Sequence, residues 1–326
     1  MAAAPRPGGR RARLRLYRTP AALERCPAPS GRAVAIGAFD GVHVGHQEIL
    51  RRVVGTAAAE GRASTVFSFE PMPAEVMAPD DPPARLTRFR ERFEVFEAMG
   101  LEEFFCPSFR TLKNLAPEVF IEALLHRALD TRHLVVGHDF RFGAGRRGGL
   151  EDLERASRRY GFDVTVVEPV ERAGRRVSST AIRAALAAGD LDAARVMLGR
   201  DYSMSGRVIR GQGLGRGLGY PTANVSLKRR RSPIDGIFAV RVGGLDDDGL
   251  LDGVASIGTR PTVGGGVALL EVLIFDFDRD IYGEHITVHF VRRLREERRF
   301  PSLDALKAQM RLDVAEARAA LESRIA

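Results

Sequence analysis

Lysine is nearly missing from this chain: Lys113, Lys228 and Lys307 stand against 50 lysines and arginines together. The basic charge is therefore arginine, and with the abundant alanine it reads as the coding bias of a GC-rich genome. A net charge of +8 speaks to association and solubility, not to fold. Cysteine is as scarce. Cys26 and Cys106 stand far apart with no CxxC spacing, which argues against a disulfide framework or a zinc ribbon and suits a reducing cytoplasm. No apolar run approaches the roughly 20 residues that cross a bilayer. The basic, acid-poor opening MAAAPRPGGRRARLRL lacks the apolar core of a secretory signal. Residues 1–29 are expected to be a partly disordered basic start, with a transit peptide as the alternative.

What remains is a globular composition, 44% hydrophobic and 28% charged over 326 residues, with room for two cores. From Arg32 the apolar runs RAVAIGAF, ASTVFSF, EEFFCPSF, HLVVG and FDVTVVEPV alternate with helical stretches at Gln47–Glu60, Leu86–Met99 and Pro117–Ala128. Strands separated by helices imply a doubly wound parallel α/β sheet, here over residues 30–186. A helical linker, 187–200, is broken at Gly189 and closed near Gly199. Beyond it, over 201–326, SMSGRVIR, GIFAVRVGG, LDGVASIG, ALLEVLIFDF and HITVHFVRRL follow one another without helices, the pattern of a small antiparallel β-barrel. Ser302 caps a final amphipathic helix with Leu303, Leu306, Met310 and Val314 spaced along one face.

The densest chemical signal is GAFDGVHVGHQEIL, Gly37 to Leu50, where the first strand gives way to a helix. Ligands of open parallel sheets sit beyond the carboxyl ends of strands, and a helix start offers free N–H groups to phosphate. His43 and His46, three residues apart, face one way on the first turn, and Gly41 and Gly45 leave room for close backbone approach. The pair suits donation to a phosphate that gains charge during transfer. A zinc pair and a purely structural pair are the alternatives; no HExxH spacing or third ligand stands nearby. VSSTAIR, Val177 to Arg183, opens a later helix with hydroxyls and places Arg183 on its first turn, fit to grip pyrophosphate or simply to cap.

In the second half, GQGLGRGLGYPTANV (Gly211 to Val225) lacks the GK[ST] ending of a P-loop. Thr222 and Asn224, two residues apart on a strand after Pro221, project together, and their oxygens suit Mg²⁺ and phosphate. Glu271 in LLEVLIFDF shares a strand face with Leu273, Phe275 and Phe277. A carboxylate there is costly unless paired or useful; an exposed or barrel-end position is the other reading.

GxFDGxHxGH and SSTxIR, with GHDFRFGAGRRGG and FEPMP between them, resemble the nucleotidyltransferase module of bifunctional riboflavin kinase/FMN adenylyltransferases, the prokaryotic FAD synthetases. PTAN, GIFAV, SIGTRPT, the Glu271 strand, DRDIYGE and LREERRFPSLDALKAQ are similar, in order, to that family's kinase module. The resemblance implies riboflavin phosphorylation to FMN in the barrel and adenylylation of FMN to FAD in the α/β module, with ATP and Mg²⁺. His43 and His46 would stabilise the α-phosphate, while Ser179, Thr180 and Arg183 hold the outgoing pyrophosphate. Gly37, Phe39, Asp40, Gly45, Gly137 and Asp139 would line the first nucleotide site. Gly213, Gly215, Gly219, Pro221, Thr222, Asn224 and Arg295 would line the second, with Thr222 and Asn224 on Mg²⁺-nucleotide and Glu271 activating the ribityl hydroxyl. Two positions depart from the family pattern. Met72 stands where glutamine or histidine is commoner, and Leu273 where many relatives have histidine.

The partners implied are small molecules, with no nucleic acid and no membrane, and a homo-oligomer stays open. One active module with the other decayed is a second enzyme reading. A nucleic-acid or flavin-sensing binder is a third, with KRRRSP, Lys228 to Pro233, as its footprint.

Overall fold

The computed structural model describes residues 13–211, 219–245, 249–260 and 267–323. By packing, the chain divides into Met1–Pro82 with Arg88–Glu171, and Pro83–Thr87 with Arg172–Ala326.

The first unit is built on six parallel strands, β1 (Arg15–Tyr17), β2 (Arg32–Ile36), β3 (Ala63–Phe67), β4 (Glu103–Phe105), β5 (Thr131–Gly137) and β6 (Asp163–Val167). Their order is β1-β4-β3-β2-β5-β6. Around them run α1 (Pro20–Glu24), α2 (Val44–Glu60), α3 (Pro73–Met77), α4 (Phe89–Ala98), α5 (Phe109–Leu112), α6 (Pro117–Val119) and α7 (Leu150–Tyr160). After α6 the chain winds on as a π-helix over Phe120–Ala128, with Leu129 N–H reaching Leu124. All five residues of β2 are buried, and they alternate between two cores: Val34 and Ile36 meet Leu124, Leu125 and Leu153, while Ala33 and Ala35 meet Leu50, Val53 and Phe96. The sheet is covered on both faces, as a doubly wound fold requires. β1 adds an edge strand ahead of Arg32, within a stretch too short and too basic to show a strand period. It is held by register with β4, Leu16 opposite Phe104.

A buried charge ties the strand starts together. Arg32, 1% exposed, donates to Glu103 at 2.6 Å, to the Leu129 carbonyl at 3.2 Å and to the Cys26 carbonyl at 2.8 Å. Thr65 and Arg15 complete the carboxylate at 3.0 Å each.

Next along the chain come the short pair β7 (Glu171–Arg172) and β8 (Arg175–Arg176), then, in the second unit, α8 (Ser179–Ala187) and α9 (Leu191–Leu198), parted by Gly189 at φ +76° and stopped by Gly199 at φ +71°. α8 packs on α9, and α9 on β9 (Tyr202–Ile209) and β14 (His285–Arg295). With β10 (Ala223–Ser226), β11 (Gly236–Gly243), β12 (Leu251–Arg260) and β13 (Val267–Ile274) these two close an antiparallel barrel, order β10-β13-β12-β11-β14-β9. Inside, Phe238 and Phe290 meet edge to face at 5.3 Å. The C-terminal helix, Leu303–Glu322, starts on the Ser302 hydroxyl and lies on the outer face, Val314, Ala317 and Leu321 packing on Ala239, Val254 and Leu273. Leu303 does not join that face and is 66% exposed, because it sits at the first position of the helix, before the apolar stripe begins.

Removing one partner of a buried pair strands the other charge. Glu103→Ala should cost about 3–5 kcal/mol, whereas Arg15→Ala, at a side chain 60% exposed, should cost under about 1 kcal/mol. Denaturant dependence of amide exchange in β2 and β3 measures both.

Candidate active sites

In the sheet, the chain runs from β2 outward through β3 and β4, then returns to the other side of β2 for β5. That reversal opens a crevice at the carboxyl ends of β2 and β5, the place where doubly wound sheets take ligands. The two segments that leave those ends are GAFDGVHVGH and GHDFRFG.

The turn after β2 is unusual backbone: Phe39, Gly41 and Val42 have φ of 51°, 83° and 41°. A β-branched residue in the left-handed region is a genuine outlier. It persists because Phe39 and Val42 are both fully buried, so packing overrides local preference. The Phe39 ring stands edge-on to His46 at 5.2 Å and to Phe96 of α4 at 5.9 Å. Asp40, between them, is 4% exposed.

His43 is the N-cap of α2, its Nδ1 accepting the His46 N–H at 3.2 Å. In the neutral ring that acceptor role puts the proton on Nε2, which makes Nε2 a donor. The His43 and His46 rings stack, centroids 3.5 Å apart and planes 16° apart. The in-plane lone pairs of two nearly parallel rings do not converge on one ion, so the geometry suits two parallel donors better than a zinc pair. The glycines serve these rings. A Cβ on Gly45 would stand 3.3 Å from the His43 ring, and one on Gly37 3.1 Å from Phe39. Gly137 has no such tightness; Asp139 Oδ1 would lie 3.5 Å from its Cβ. Met72 caps α3, is 4% exposed and gives its N–H to Glu75 at 3.1 Å.

Ser179, Thr180 and Arg183 belong by packing to the second unit. Ser178, one residue earlier, caps α8 by accepting the Ala181 N–H at 3.1 Å, which leaves Ser179 and Thr180 at the first two helical positions. Arg183 donates its Nε to the Ala84 carbonyl at 2.6 Å. Arg229 of KRRRSP, 4% exposed, reaches the neighbouring Arg85 carbonyl at 2.6 Å, so this arginine is turned inward.

Between the barrel's outer face and the C-terminal helix lies a cavity of about 640 Å³. Ile237, Leu273, Phe300, Leu306, Met310 and Val314 give it apolar walls, and Thr222, Ser256, Glu271 and Glu297 a polar end. Leu270 and Val272 point into the barrel, fully buried, which puts Glu271 on the outer face beside the cavity, half-buried. Register sets Glu271 opposite Asn224 of β10 and Ser256 of β12. The Asn224 amide rests over Gly211, where any Cβ would collide with it. A second cavity of about 170 Å³, lined by Pro221, Val208, Arg279 and Tyr282, shares Thr222 with the first. Gly219, at φ +86°, has open space around it. Gly213 and Gly215 lie outside the described residues. Arg295 lines the larger cavity but is clamped on Asp313 of the helix by bonds of 2.8 and 2.7 Å.

Sequence reasoning passed over Ser256 and Glu297, which share a bond of 3.1 Å at the cavity, and over α4 behind the first site. Only spatial neighbourhood gives them meaning.

The FAD synthetase family model matches residues 26–181 and the riboflavin kinase model residues 198–321. A bifunctional riboflavin kinase/FMN adenylyltransferase of Escherichia coli (strain K12) is 45% identical over 289 residues, 88% of this chain and 92% of that protein. One from Pseudomonas fluorescens is 46% identical over 296 residues, 90% and 94% of the two chains. A crystal structure described as a macrolide-efflux protein from Streptococcus pneumoniae superposes with TM-score 0.75 at 31% identity, covering 92% of this chain and 97% of that one. Among the described residues no helix is long and apolar enough to cross a membrane.

Burial, and then the neighbouring His43, hold the His46 imidazole well below its ordinary 6.5. The unfolded chain binds that proton below pH 6.5 and the folded one only at lower pH. The linked stability is therefore full above 6.5 and lost as pH falls toward the folded value. His46→Gln should flatten the slope of melting temperature against pH below 6.5.

Proposed function

The chain belongs to the bifunctional riboflavin kinase/FMN adenylyltransferase family, and on that footing we propose how its side chains divide the two reactions. It phosphorylates riboflavin to FMN with ATP, and joins FMN to AMP from a second ATP to give FAD and pyrophosphate.

The observation that carries the kinase assignment is Thr222, which lines both barrel cavities. The larger, apolar one takes the isoalloxazine ring of riboflavin, a ligand of the size such cavities hold. The smaller takes the phosphate end of ATP, and the γ-phosphate meets the ribityl 5′-hydroxyl at Thr222. Glu271 accepts the hydroxyl proton as its oxygen attacks phosphorus and ADP leaves. Mg²⁺ fits the donors present: Thr222 and Asn224 offer oxygen, the hard ligand it prefers, and the described residues hold no group of three or more His, Cys, Asp or Glu that would make a protein cage. Bound there with nucleotide phosphates, Mg²⁺ supplies charge neutralisation. Gly213, Gly215 and Gly219 are assigned to those phosphates by the family resemblance, and Arg295, held by Asp313, shapes the flavin end of the cavity.

In the other reaction an FMN phosphate oxygen attacks the α-phosphorus of ATP, and the bond to the β-phosphate breaks. The Nε2 edges of His43 and His46 donate to the α-phosphate oxygens, with Gly37, Phe39, Asp40, Gly45, Gly137 and Asp139 lining the crevice. Ser179, Thr180 and Arg183 take the pyrophosphate. The adenylyltransferase spans residues 30–186 and the kinase 201–326, joined by 187–200. The enzyme works in the cytoplasm on small molecules, consistent with two free cysteines.

Glu271→Gln keeps the shape but cannot take the proton, and general-base catalysis contributes roughly 10² to 10⁴ in rate. Riboflavin phosphorylation should fall by about that factor with riboflavin and ATP still bound, and adenylylation of supplied FMN should persist. A wild-type kinase rate in the folded variant would sink the base assignment.

The His43→Ala/His46→Ala double variant should do the reverse, suppressing FAD by orders of magnitude while FMN formation stays, as product chromatography will read. Tightly bound zinc lost in that variant would favour the metal reading instead. A fragment beginning near Leu191, which keeps α9 on the barrel, should make FMN and no FAD.

A further inference from the structure

α4 contributes nothing to the motifs, yet it carries the most deeply buried charge near the first site. Arg92 is 0% exposed. One guanidinium nitrogen donates to the Ala38 carbonyl at 2.9 Å and the Ser68 hydroxyl at 2.8 Å. The other donates to the Phe69 carbonyl at 3.1 Å and the Glu70 carboxylate at 2.8 Å. Ser68 in turn donates to the same Ala38 carbonyl at 3.1 Å.

That carbonyl belongs to the peptide that enters the left-handed turn. A peptide unit is planar, so pinning its oxygen limits how the Ala38–Phe39 plane can rotate and thereby constrains φ of Phe39. Four residues after Arg92, on the same face of α4, Phe96 meets the Phe39 ring at 5.9 Å, and Phe39 meets His46 at 5.2 Å. α4 itself is anchored at its start by Glu91, which accepts the Arg88 N–H at 2.7 Å. A chain of contacts thus runs from the guanidinium through the turn to the stacked histidines.

We infer that Arg92 is a positioning residue for adenylylation: its bonds to Ala38 and Ser68 hold the Gly37–Val42 turn in the conformation that aims His43 and His46. The inference rests on the reading that those histidines act at the α-phosphate. It differs from a stabilising role in one respect. Removing Arg92 alone takes a partner from the Glu70 carboxylate and lowers stability; a purely stabilising role would end there, with kcat of the folded protein unchanged. Aim is what removing Arg92 should also lose.

Arg92→Met in the full chain should leave riboflavin phosphorylation at its wild-type rate. FMN adenylylation kcat should drop about tenfold to hundredfold, the size expected of a misplacement near 1 Å, with KM for ATP and FMN held within about threefold. Arg92→Lys, which keeps charge and donors, should restore most of the lost kcat. By NMR the His46 ring in Arg92→Met should titrate closer to its ordinary value, because a loosened turn admits water to it. Should Arg92→Met fail to fold, Ser68→Ala removes one of the two bonds to Ala38 without touching a charge and should lower adenylylation kcat at least about threefold. Wild-type adenylylation and wild-type His46 titration in folded Arg92→Met would overturn the inference, as would wild-type adenylylation in Ser68→Ala where the methionine variant is unfolded. The His43→Ala/His46→Ala variant, assayed alongside, separates the two ideas. If it makes FAD normally, the histidine reading itself fails. If it does not, and Arg92→Met does, only the role of Arg92 falls.

Discussion

The pair Arg32–Glu103 is the constraint on which the first unit turns. Strands buried on both faces carry apolar residues on both, so a register slip of β2 would exchange one buried alanine or valine for another at little cost. A charge at the first residue of β2 has no such freedom. Its carboxylate comes from β4, the Thr65 hydroxyl of β3 donates to that carboxylate, and the Leu129 carbonyl comes from just ahead of β5. Any slip would strand a buried ion. Setting the strand starts in this way also sets where β2 and β5 end, and hence the crevice between Gly37 and Gly137.

The barrel solves its placement differently. Closure removes strand ends as a site, and the interior is filled by side chains such as Phe238 and Phe290. The groups proposed to react are instead on the outer wall, where neighbouring strands bring Asn224, Glu271 and Ser256 into one row. The fourth wall is a helix. Arg295 on Asp313 and Arg318 on Asp276, the latter with two bonds of 3.0 Å, hold that helix to the strands.

Much of this was legible in the residues. Strand and helix periods mark both folds because each element buries a face, and the types and spacing of Gly37, His43 and His46 are what the proposed phosphate site rests on. The order of motifs supplied the family. What escaped did so for physical reasons. β1 is three residues long, and its pairing is decided by Glu103 and Phe105 far along the chain. The π-helical winding of Phe120–Ala128 has the same apolar spacing as an α-helix to within a residue. Arg92 sits in RFRERFEVF with Arg88, half-buried, and Arg90, exposed, and nothing in the sequence says which one faces fully inward. Arg229 hides in KRRRSP in the same way. Leu303 looked like part of an apolar stripe because spacing cannot tell where a helix first touches its partner.

The helix that roofs the larger cavity comes after every strand it covers. During synthesis β11, β12 and β13 therefore leave the ribosome with Ala239, Val254 and Leu273 uncovered, and they stay so until Val314, Ala317 and Leu321 have emerged. For that interval the barrel presents a greasy flank to the cell. The pocket proposed for riboflavin is thus closed only after the strands that make its other walls have formed.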